Sequence, residues 1–216
     1  MRLSFSVLAI SASFCLTGCI LATTRTTLDV FAPTTHTTSQ SSEKEVFVTP
    51  LVDKRVFETR PRRSDTPSLD PSEDNSRDVE LRAIGRKRNG FGKALGDFVM
   101  AEGQTVAAVV TESVRRSFEE SGYRVLSDPN RITPNTYIVD GSVEKFWLYN
   151  NLGGFKIDVE TKLSIKSPDG SSIEKTTSIT RGNDSSFIVY KGERDGVAFT
   201  DALRVYMDKL VSQISE

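Results

Sequence analysis

The feature that most constrains the fold is a run of alternating residues in the last third of the chain. Its apolar members are Phe155, Ile157, Val159, Leu163 and Ile165, and its charged members are Lys156, Asp158, Glu160, Lys162 and Lys166. A period of two places the two sets on opposite faces of a β-strand. The run therefore predicts a strand with one buried face, in a sheet whose other face, bearing Lys156, Glu160 and Lys162, is solvated.

Further strands are predicted on both sides of this run. Residues 137–149 form a long apolar-rich segment, in which Gly141 predicts a kink or a bulge. The turn sequence at residues 167–170 reverses the chain into residues 172–181, which continue the meander. These segments predict consecutive antiparallel strands.

Two amphipathic helices enclose this strand-rich block. The first has the stripe Val106, Val110, Val114 and Phe118 between a Thr105 N-cap and a Gly122 stop, and the second, with an Asp195 cap, has Phe199, Leu203, Met207, Leu210 and Ile214. Such spacing places the apolar side chains on one side of each helix. The order of elements predicts an α+β fold, a two-layer sandwich with two amphipathic helices on one face of an antiparallel sheet of about four to five strands.

A single domain is predicted over residues 44–216. It opens with a strand at residues 45–53, where Pro50 indicates an edge position or a strand end because proline cannot donate a ladder hydrogen bond. Residues 54–103 lack a clean period and are predicted to form a long irregular insert, with a short strand around Ile84. Inserts of this length are usually functional or mobile.

The N-terminus has the features of a secretory signal. Arg2 is followed by an apolar or small run at residues 3–14, which is too short to span a membrane. The run ends at Leu16-Thr17-Gly18-Cys19, which resembles the lipobox of bacterial lipoproteins. The resemblance implies removal of residues 1–18 and a diacylglycerol on the Cys19 thiol, with two or three acyl chains such as palmitate in total. Two or more chains give stable membrane anchoring.

Residue 20 bears on the location of the anchored protein. By resemblance to lipoproteins of Gram-negative bacteria, Ile20 in place of Asp favours the outer membrane, with the domain in the periplasm.

Residues 19–43 are rich in Thr and Ser and are expected to include a tether, because such a composition cannot bury a core. Apolar and polar residues alternate at residues 28–31, a pattern that is also compatible with a short strand docked on the domain. Cys15 lies in the removed segment, which excludes thiol redox chemistry from the mature domain.

The sequence contains no recognisable catalytic set. Its one histidine, His36, lies in the Thr/Ser-rich tether, where nothing rigid orients it. Neither a nucleophile elbow nor a phosphate loop is present. The 28 basic and 29 acidic residues balance, which argues against a nucleic-acid partner. We therefore expect a non-enzymatic protein without metal or cofactor, and we interpret Asp158 and Glu160 as part of a solvated strand face.

Two stretches are candidates for ligand or partner binding. The first, residues 85–97, contains four glycines and the candidate side chains Arg86, Lys87, Arg88, Asn89, Phe91 and Lys93. It could hold an anion such as a lipid phosphate or a glycan carboxylate, or it could be a solvated loop at the sheet edge. The second stretch is residues 146–149, an aromatic-rich part of a predicted strand. Because neighbouring residues of a strand face opposite sides, one of Phe146 and Trp147 should join the core. The other, beside Tyr149, would form a contact surface or be covered by the segment after Asp53.

Several motifs together resemble the YajG-like family of bacterial lipoproteins. They are Cys19 and residues 46–55, 88–92, 121–123 and 139–147. The resemblance spans residues 44–215, and the Thr/Ser tether and residues 60–77 depart from it. It implies an outer-membrane lipoprotein with no established enzymatic activity.

Three functions remain open at this point. The first is a non-enzymatic envelope lipoprotein that binds a partner protein or cell-wall component through residues 85–97 and the region of Trp147. The second is an auxiliary lipoprotein subunit of a lipid or lipopolysaccharide transport system, which an apolar groove between helices and sheet would favour. The third is a hydrolase that acts on cell-wall glycan.

Overall fold

The computed structural model describes residues 25–35, 43–88, 93–151, 154–183 and 193–215. Within them, one mixed sheet packs against helices in an α+β fold, so the predicted class is confirmed. The strands are β1 Thr26–Leu28, β2 Glu45–Val48, β3 Val52–Asp53, β4 Ala83–Arg88, β5 Ala94–Met100, β6 Arg124–Val125, β7 Thr136–Asn151, β8 Gly154–Lys166 and β9 Ser172–Asn183. The helices are α1 Arg77–Arg82, α2 Val106–Glu120 and α3 Glu193–Ser215, and a 3₁₀ turn spans Pro129–Arg131.

The expected antiparallel sheet of four to five strands is wrong, because the described residues form a nine-stranded sheet with parallel and antiparallel pairs. Strand β7, with 16 residues, organises it. One edge of β7 pairs antiparallel with β8, which pairs antiparallel with β9. The other edge pairs parallel with β2, β3 and β4 in succession. Strand β5 then pairs antiparallel with β4. Strand β1 pairs parallel with β5, and β6 pairs parallel with β2.

The segment 54–103 is not irregular throughout, which corrects the sequence analysis. It contains α1, β4 and β5, and the strand expected around Ile84 is confirmed as β4. The alternation is absent because both strands are covered on both faces. Consecutive residues of β4 from Ala83 to Lys87, and of β5 from Gly96 to Met100, are buried. Strands covered on both faces lack the period-two signal of half-buried strands.

Helices α2 and α3 cover one face of the sheet and form the main core with it. The predicted N-cap of α2 is confirmed, since the Thr105 hydroxyl accepts from the Ala108 N–H at 3.2 Å. The predicted cap of the last helix is wrong, because α3 begins at Glu193 and so includes Asp195. Phe146 of β7 stacks on Phe199 of α3 with ring centroids 5.3 Å apart. The two predicted amphipathic helices thus share one face.

The opposite face of the sheet is covered at one end. Trp147 packs there with Val79 of α1 and with Phe57, whose ring meets the indole edge-on at 5.9 Å. Phe146 and Trp147 are therefore both buried, one under each layer, and the segment after Asp53 covers the tryptophan. The predicted solvated face is confirmed only in part, because Lys162 is exposed whereas Lys156 and Glu160 are half-buried.

Two local expectations about β2 and β7 have different outcomes. The strand predicted over residues 45–53 is divided into β2 and β3, and Pro50 lies in the break, two residues after the end of β2. Strand β2 itself lies between β6 and β7 and not at an edge. The irregularity of β7 falls between Val143 and Lys145 and not at Gly141. Gly141 instead permits a close strand approach, because a Cβ there would lie 2.4 Å from the carbonyl oxygen of Lys162.

Residues 25–35, part of the predicted tether, lie against the domain. Strand β1 joins the sheet beside β5, and the side chains of Leu28 and Val30 are buried in the main core. The docked strand left open for residues 28–31 is present slightly earlier, at Thr26–Leu28. Arg116 of α2 donates to the carbonyl oxygens of Ala32 and Pro33 at 2.7 and 2.8 Å. Cys19 and His36 lie outside the described residues.

Candidate functional site

The candidate side chains of residues 85–97 do not form one exposed surface. Arg86 and Lys87 are neighbours on β4, and both are buried. The Lys87 ammonium contacts the Thr26 hydroxyl and lies 5.0 Å from the centroid of the Phe98 ring. Arg88 is half-buried at the end of β4, and Lys93 is exposed just before β5. Asn89 and Phe91 lie outside the described residues.

Arg86 belongs to a group that we term the buried ionic cluster, formed by Arg25, Asp70, Arg86 and Asp97. Asp97 is 1% exposed, and its carboxylate accepts the backbone N–H of Asp70 at 3.0 Å. Its oxygens lie 3.6 Å from the Arg25 guanidinium and 4.0 Å from that of Arg86. A further ion pair of 3.4 Å joins Arg86 to Asp70. Two arginines and two aspartates thus face each other in the interior.

Burial dominates the electrostatics of this cluster. Loss of hydration raises the pKa of Asp97, although the Asp70 N–H and the guanidinium groups of Arg86 and Arg25 each act to lower it. The Oδ1 atom of Asp97 and the Nε atoms of Arg86 and Arg25 are buried without a hydrogen-bond partner. An unsatisfied buried polar atom costs about 1–3 kcal/mol. The cluster therefore contributes less stability than its count of charges would indicate.

The cluster joins four separate parts of the chain. Arg25 precedes β1, Asp70 comes from the covering segment, and Arg86 and Asp97 are cross-strand partners in β4 and β5. Arg25 also donates to the Asp74 carbonyl at 2.9 Å and to the Asn75 side chain at 3.0 Å. Sequence reasoning missed Arg25, Asp70 and Asp97, because it assigned them to a tether and an irregular insert. The pairing of β4 with β5 is the signal that could have linked Arg86 to Asp97.

Arg55 is a second buried cation that the sequence analysis missed. Its guanidinium pairs with both carboxylate oxygens of Asp53, at 2.9 and 2.8 Å. It also donates to carbonyl oxygens at the end of α1, with Glu80 at 2.9 Å, and to that of Phe146 in β7 at 3.3 Å. Positive charge at a helix C-terminus is favourable. Arg55 therefore fastens α1 to the sheet and acts as a structural residue.

Trp147 and Tyr149 do not form the exposed aromatic surface considered above. Trp147 is 1% exposed beneath the covering segment. Tyr149 is half-buried, and burial together with the charge and hydrogen bond of Asp158 raises the pKa of its hydroxyl to about 12. The phenol is thus protonated at neutral pH and donates to Asp158. The Trp147 ring is therefore inaccessible for stacking, and the Tyr149 ring packs in part against the same apolar cluster.

Polar side chains are paired across the outer face of β7, β8 and β9. Asp158 accepts from the Thr180 hydroxyl at 2.6 Å. Glu160 pairs with Lys145 at 3.2 Å, and Lys162 lies 3.9 Å from Glu144. Carboxylates paired in this way across strands stabilise a sheet surface. Asp158 and Glu160 are half-buried and paired with neighbouring side chains, so the predicted solvated strand face is confirmed only in part here.

Among the described residues, no group of three or more His, Cys, Asp or Glu residues is placed to hold a metal ion. No described helix combines the length and the hydropathy needed to cross a bilayer.

No family model and no curated protein matches the chain. Among solved structures, a DUF330 protein from Xanthomonas campestris is 15% identical, with a TM-score of 0.48 over 88% of this chain and 92% of that one. The PelC dodecamer protein of Paraburkholderia phytofirmans is 10% identical, with a TM-score of 0.40 over 82% of this chain and 92% of its own. The lipoprotein GNA1162 from Neisseria meningitidis is 12% identical, with a TM-score of 0.28 over 80% and 98%. These likenesses identify neither a family nor a function.

Proposed function

We propose that the chain is a non-enzymatic, lipid-anchored protein of the bacterial envelope, located at the outer membrane and facing the periplasm. The observation that carries the proposal is the sequence Leu16-Thr17-Gly18-Cys19 directly after an apolar signal segment. A cysteine at this place provides the thiol that lipoproteins acylate. The YajG-like resemblance supports the same reading.

The docked N-terminal segment limits how far the domain can lie from an anchor at Cys19. Only five residues lie between Cys19 and Arg25, where the chain joins the buried ionic cluster. Such a segment spans at most about 20 Å when fully extended. The domain is then held close to the bilayer, where it can bind an envelope protein or a cell-wall component.

The anchor is tested by metabolic labelling of living cells with a palmitate analogue. We expect Cys19→Ser to abolish labelling and to leave the unprocessed precursor, because serine provides no thiol for lipid attachment. Cys15→Ser is the matched control, since that residue belongs to the removed segment and its substitution should leave labelling intact. Labelled Cys19→Ser protein, or wild-type protein that carries no label, would contradict the proposal.

The second candidate function is an auxiliary subunit of a lipid or lipopolysaccharide transport system. An apolar groove between the helices and the sheet would favour it. Side chains fill this region in the described part of the chain. Tyr206 is buried there, and its hydroxyl hydrogen-bonds the Thr161 hydroxyl at 2.7 Å. Phe146 and Phe199 stack beside it. The packing favours a docking role over carriage of a lipid inside the domain.

A further inference from the structure

One end of the sheet gathers the ends of several strands, and we term it the hairpin end. Strand β4 finishes there at Arg88 and β5 starts at Ala94, because the two pair antiparallel. Strand β7 runs parallel to β4 and so finishes at the same end, where β8 starts. Strand β9 finishes there as well, opposite Phe155. The ends of β4, β7 and β9 and the starts of β5 and β8 therefore lie at one end of the sheet.

The docked N-terminal segment enters the sheet from this same end. Strand β1 runs parallel to β5 with Thr26 opposite Phe98, and Arg25 contacts Asp97. Arg25 thus lies three positions along β5 from Ala94, which corresponds to about 10 Å. Because residues 19–25 reach at most about 20 Å, Cys19 can lie only about 10 Å beyond Ala94.

A lipid on Cys19 would consequently bring the hairpin end to the bilayer surface. The polar headgroup layer of one leaflet is about 5–8 Å deep, comparable with the remaining reach. The other end of the sheet lies far away. Lys166 is ten residues from Lys156 along β8, which corresponds to about 30 Å. The anchor therefore favours an orientation in which the hairpin end lies nearer to the membrane than the other end of the sheet.

The side chains at the hairpin end suit a surface of lipid phosphates. Four basic residues lie at or beside the strand ends there, and none is fully buried: Arg88, Lys93, Lys156 and Arg181. Among the described acidic groups near this end, Asp65 pairs with Arg63 and Asp158 accepts from Thr180, both close to Tyr149. Asp70 and Asp97 belong to the buried ionic cluster. Basic groups near a bilayer are attracted to anionic headgroups, and the attraction decays within a Debye length.

We propose that the hairpin end of the sheet is the membrane-facing surface and that Arg88, Lys93, Lys156 and Arg181 contact the phosphate groups of anionic phospholipids. This inference rests on the lipid anchor proposed above. It adds an orientation and a lipid chemistry that the anchor alone does not specify.

The test uses the mature lipidated protein in phosphatidylethanolamine vesicles that contain phosphatidylglycerol. A photoreactive amino acid replaces Ala94 in one variant and Lys166 in another, and lipid adducts are counted by mass spectrometry. We expect about fivefold or more lipid adduct at position 94 than at position 166, because position 166 lies about 30 Å farther along the sheet, beyond contact with the bilayer. Equal yields, a higher yield at position 166, or no lipid adduct at position 94 would overturn the proposal.

Charge variants test the lipid chemistry separately. With the probe at position 94, Lys93→Gln, Lys156→Gln and Arg181→Gln together should remove the preference for phosphatidylglycerol over phosphatidylcholine vesicles. The matched control carries Arg131→Gln and Lys166→Gln at the other end and should keep the preference. A preference that persists in the triple variant contradicts the phosphate contacts.

Palmitate labelling of the same preparations separates the two proposals. Unlabelled protein refutes the anchor, whereas labelled protein with the wrong adduct pattern refutes only the orientation.

Discussion

Asp97 occupies the least favourable environment of the carboxylates in the buried ionic cluster. It is 1% exposed, and its Oδ1 atom has no hydrogen-bond partner. Burial raises its pKa against the opposing effect of two arginines. The groups that face it come from three directions, with Arg25 before β1, Asp70 from the covering segment and Arg86 from β4. Its ionisation therefore costs free energy in the folded state.

This environment predicts a pH dependence of stability. An unfolded Asp has a pKa of about 3.9. Since the folded chain keeps the Asp97 proton to higher pH, the folded state binds more protons in the window above about pH 4, and stability falls as the pH rises through that window. We expect the free energy of unfolding of wild-type protein, relative to Asp97→Asn, to decrease from about pH 4 upward in urea titrations. A relative stability that increases with pH would mean that the arginines outweigh burial.

Gly141 shows how one backbone position limits the approach of two strands. A Cβ there would lie 2.4 Å from the Lys162 carbonyl oxygen and 2.8 Å from a methyl group of Leu163. We expect Gly141→Ala to lower the free energy of unfolding by about 3 kcal/mol or more, because β7 and β8 must separate. Gly170→Ala is the control, with φ of 86° and nothing within 4 Å of a new Cβ. It should cost only about 1 kcal/mol. Equal losses in chemical denaturation would contradict this account.

At the scale of elements, helix α3 is fastened to α2 by a two-point ion pair. The Arg204 guanidinium donates to both carboxylate oxygens of Glu120, at 2.8 and 2.6 Å. The side chains are 20% and 7% exposed, so solvent screens the pair only weakly. We expect a double-mutant cycle of Arg204→Ala and Glu120→Ala to give a coupling energy of about 1 kcal/mol or more.

The control cycle uses the pair formed by Glu112 and Arg116 one turn apart on α2. Their side chains are 42% and 27% exposed, and both belong to a single helix. Such a pair contributes about 0.3–0.5 kcal/mol. Similar coupling energies in the two cycles would show that the link between the helices is no stronger than a surface pair.

The helices and the longest strands could be predicted from the sequence, because each carries a clear period. The stripe of α2 from Val106 to Phe118 and the alternation of β8 both follow from burial of one side. Strands β4 and β5 could not be predicted in this way, since both of their faces are covered. Strand β3 has two residues, too few for any period.

The candidate site was predicted less well than the fold. Arg86 was predicted as a ligand- or partner-binding residue, but it is buried, and its contacts with Asp70 and Asp97 depend on pairings between distant segments. Trp147 was considered as a surface residue because a strand of alternating faces has an outward side. The covering layer that buries it comes from residues 54–82, whose sequence has no periodic signal. Tertiary contacts, and not local pattern, decide both cases.

At the scale of the whole molecule, the N-terminal segment is an integral part of the domain. Val30 is fully buried, and its backbone N–H and carbonyl both hydrogen-bond the Gln104 side chain at 3.3 Å. The Leu28 carbonyl accepts from the Ala101 N–H at 3.1 Å. A Thr-rich composition indicated a tether, yet the buried side chains of Leu28 and Val30 and the parallel pairing of β1 with β5 dock the segment.

Hydrogen–deuterium exchange of the mature lipidated protein tests most directly whether residues 25–35 are docked on the domain. Peptides that cover residues 25–35 should exchange as slowly as those of β5, because Thr26–Leu28 is hydrogen-bonded into the sheet and Val30 is buried. That result would support a domain held close to the membrane by a docked strand. If residues 25–35 exchange at the rate of an unstructured peptide while β5 and α2 stay protected, the segment is a free tether and the account is wrong.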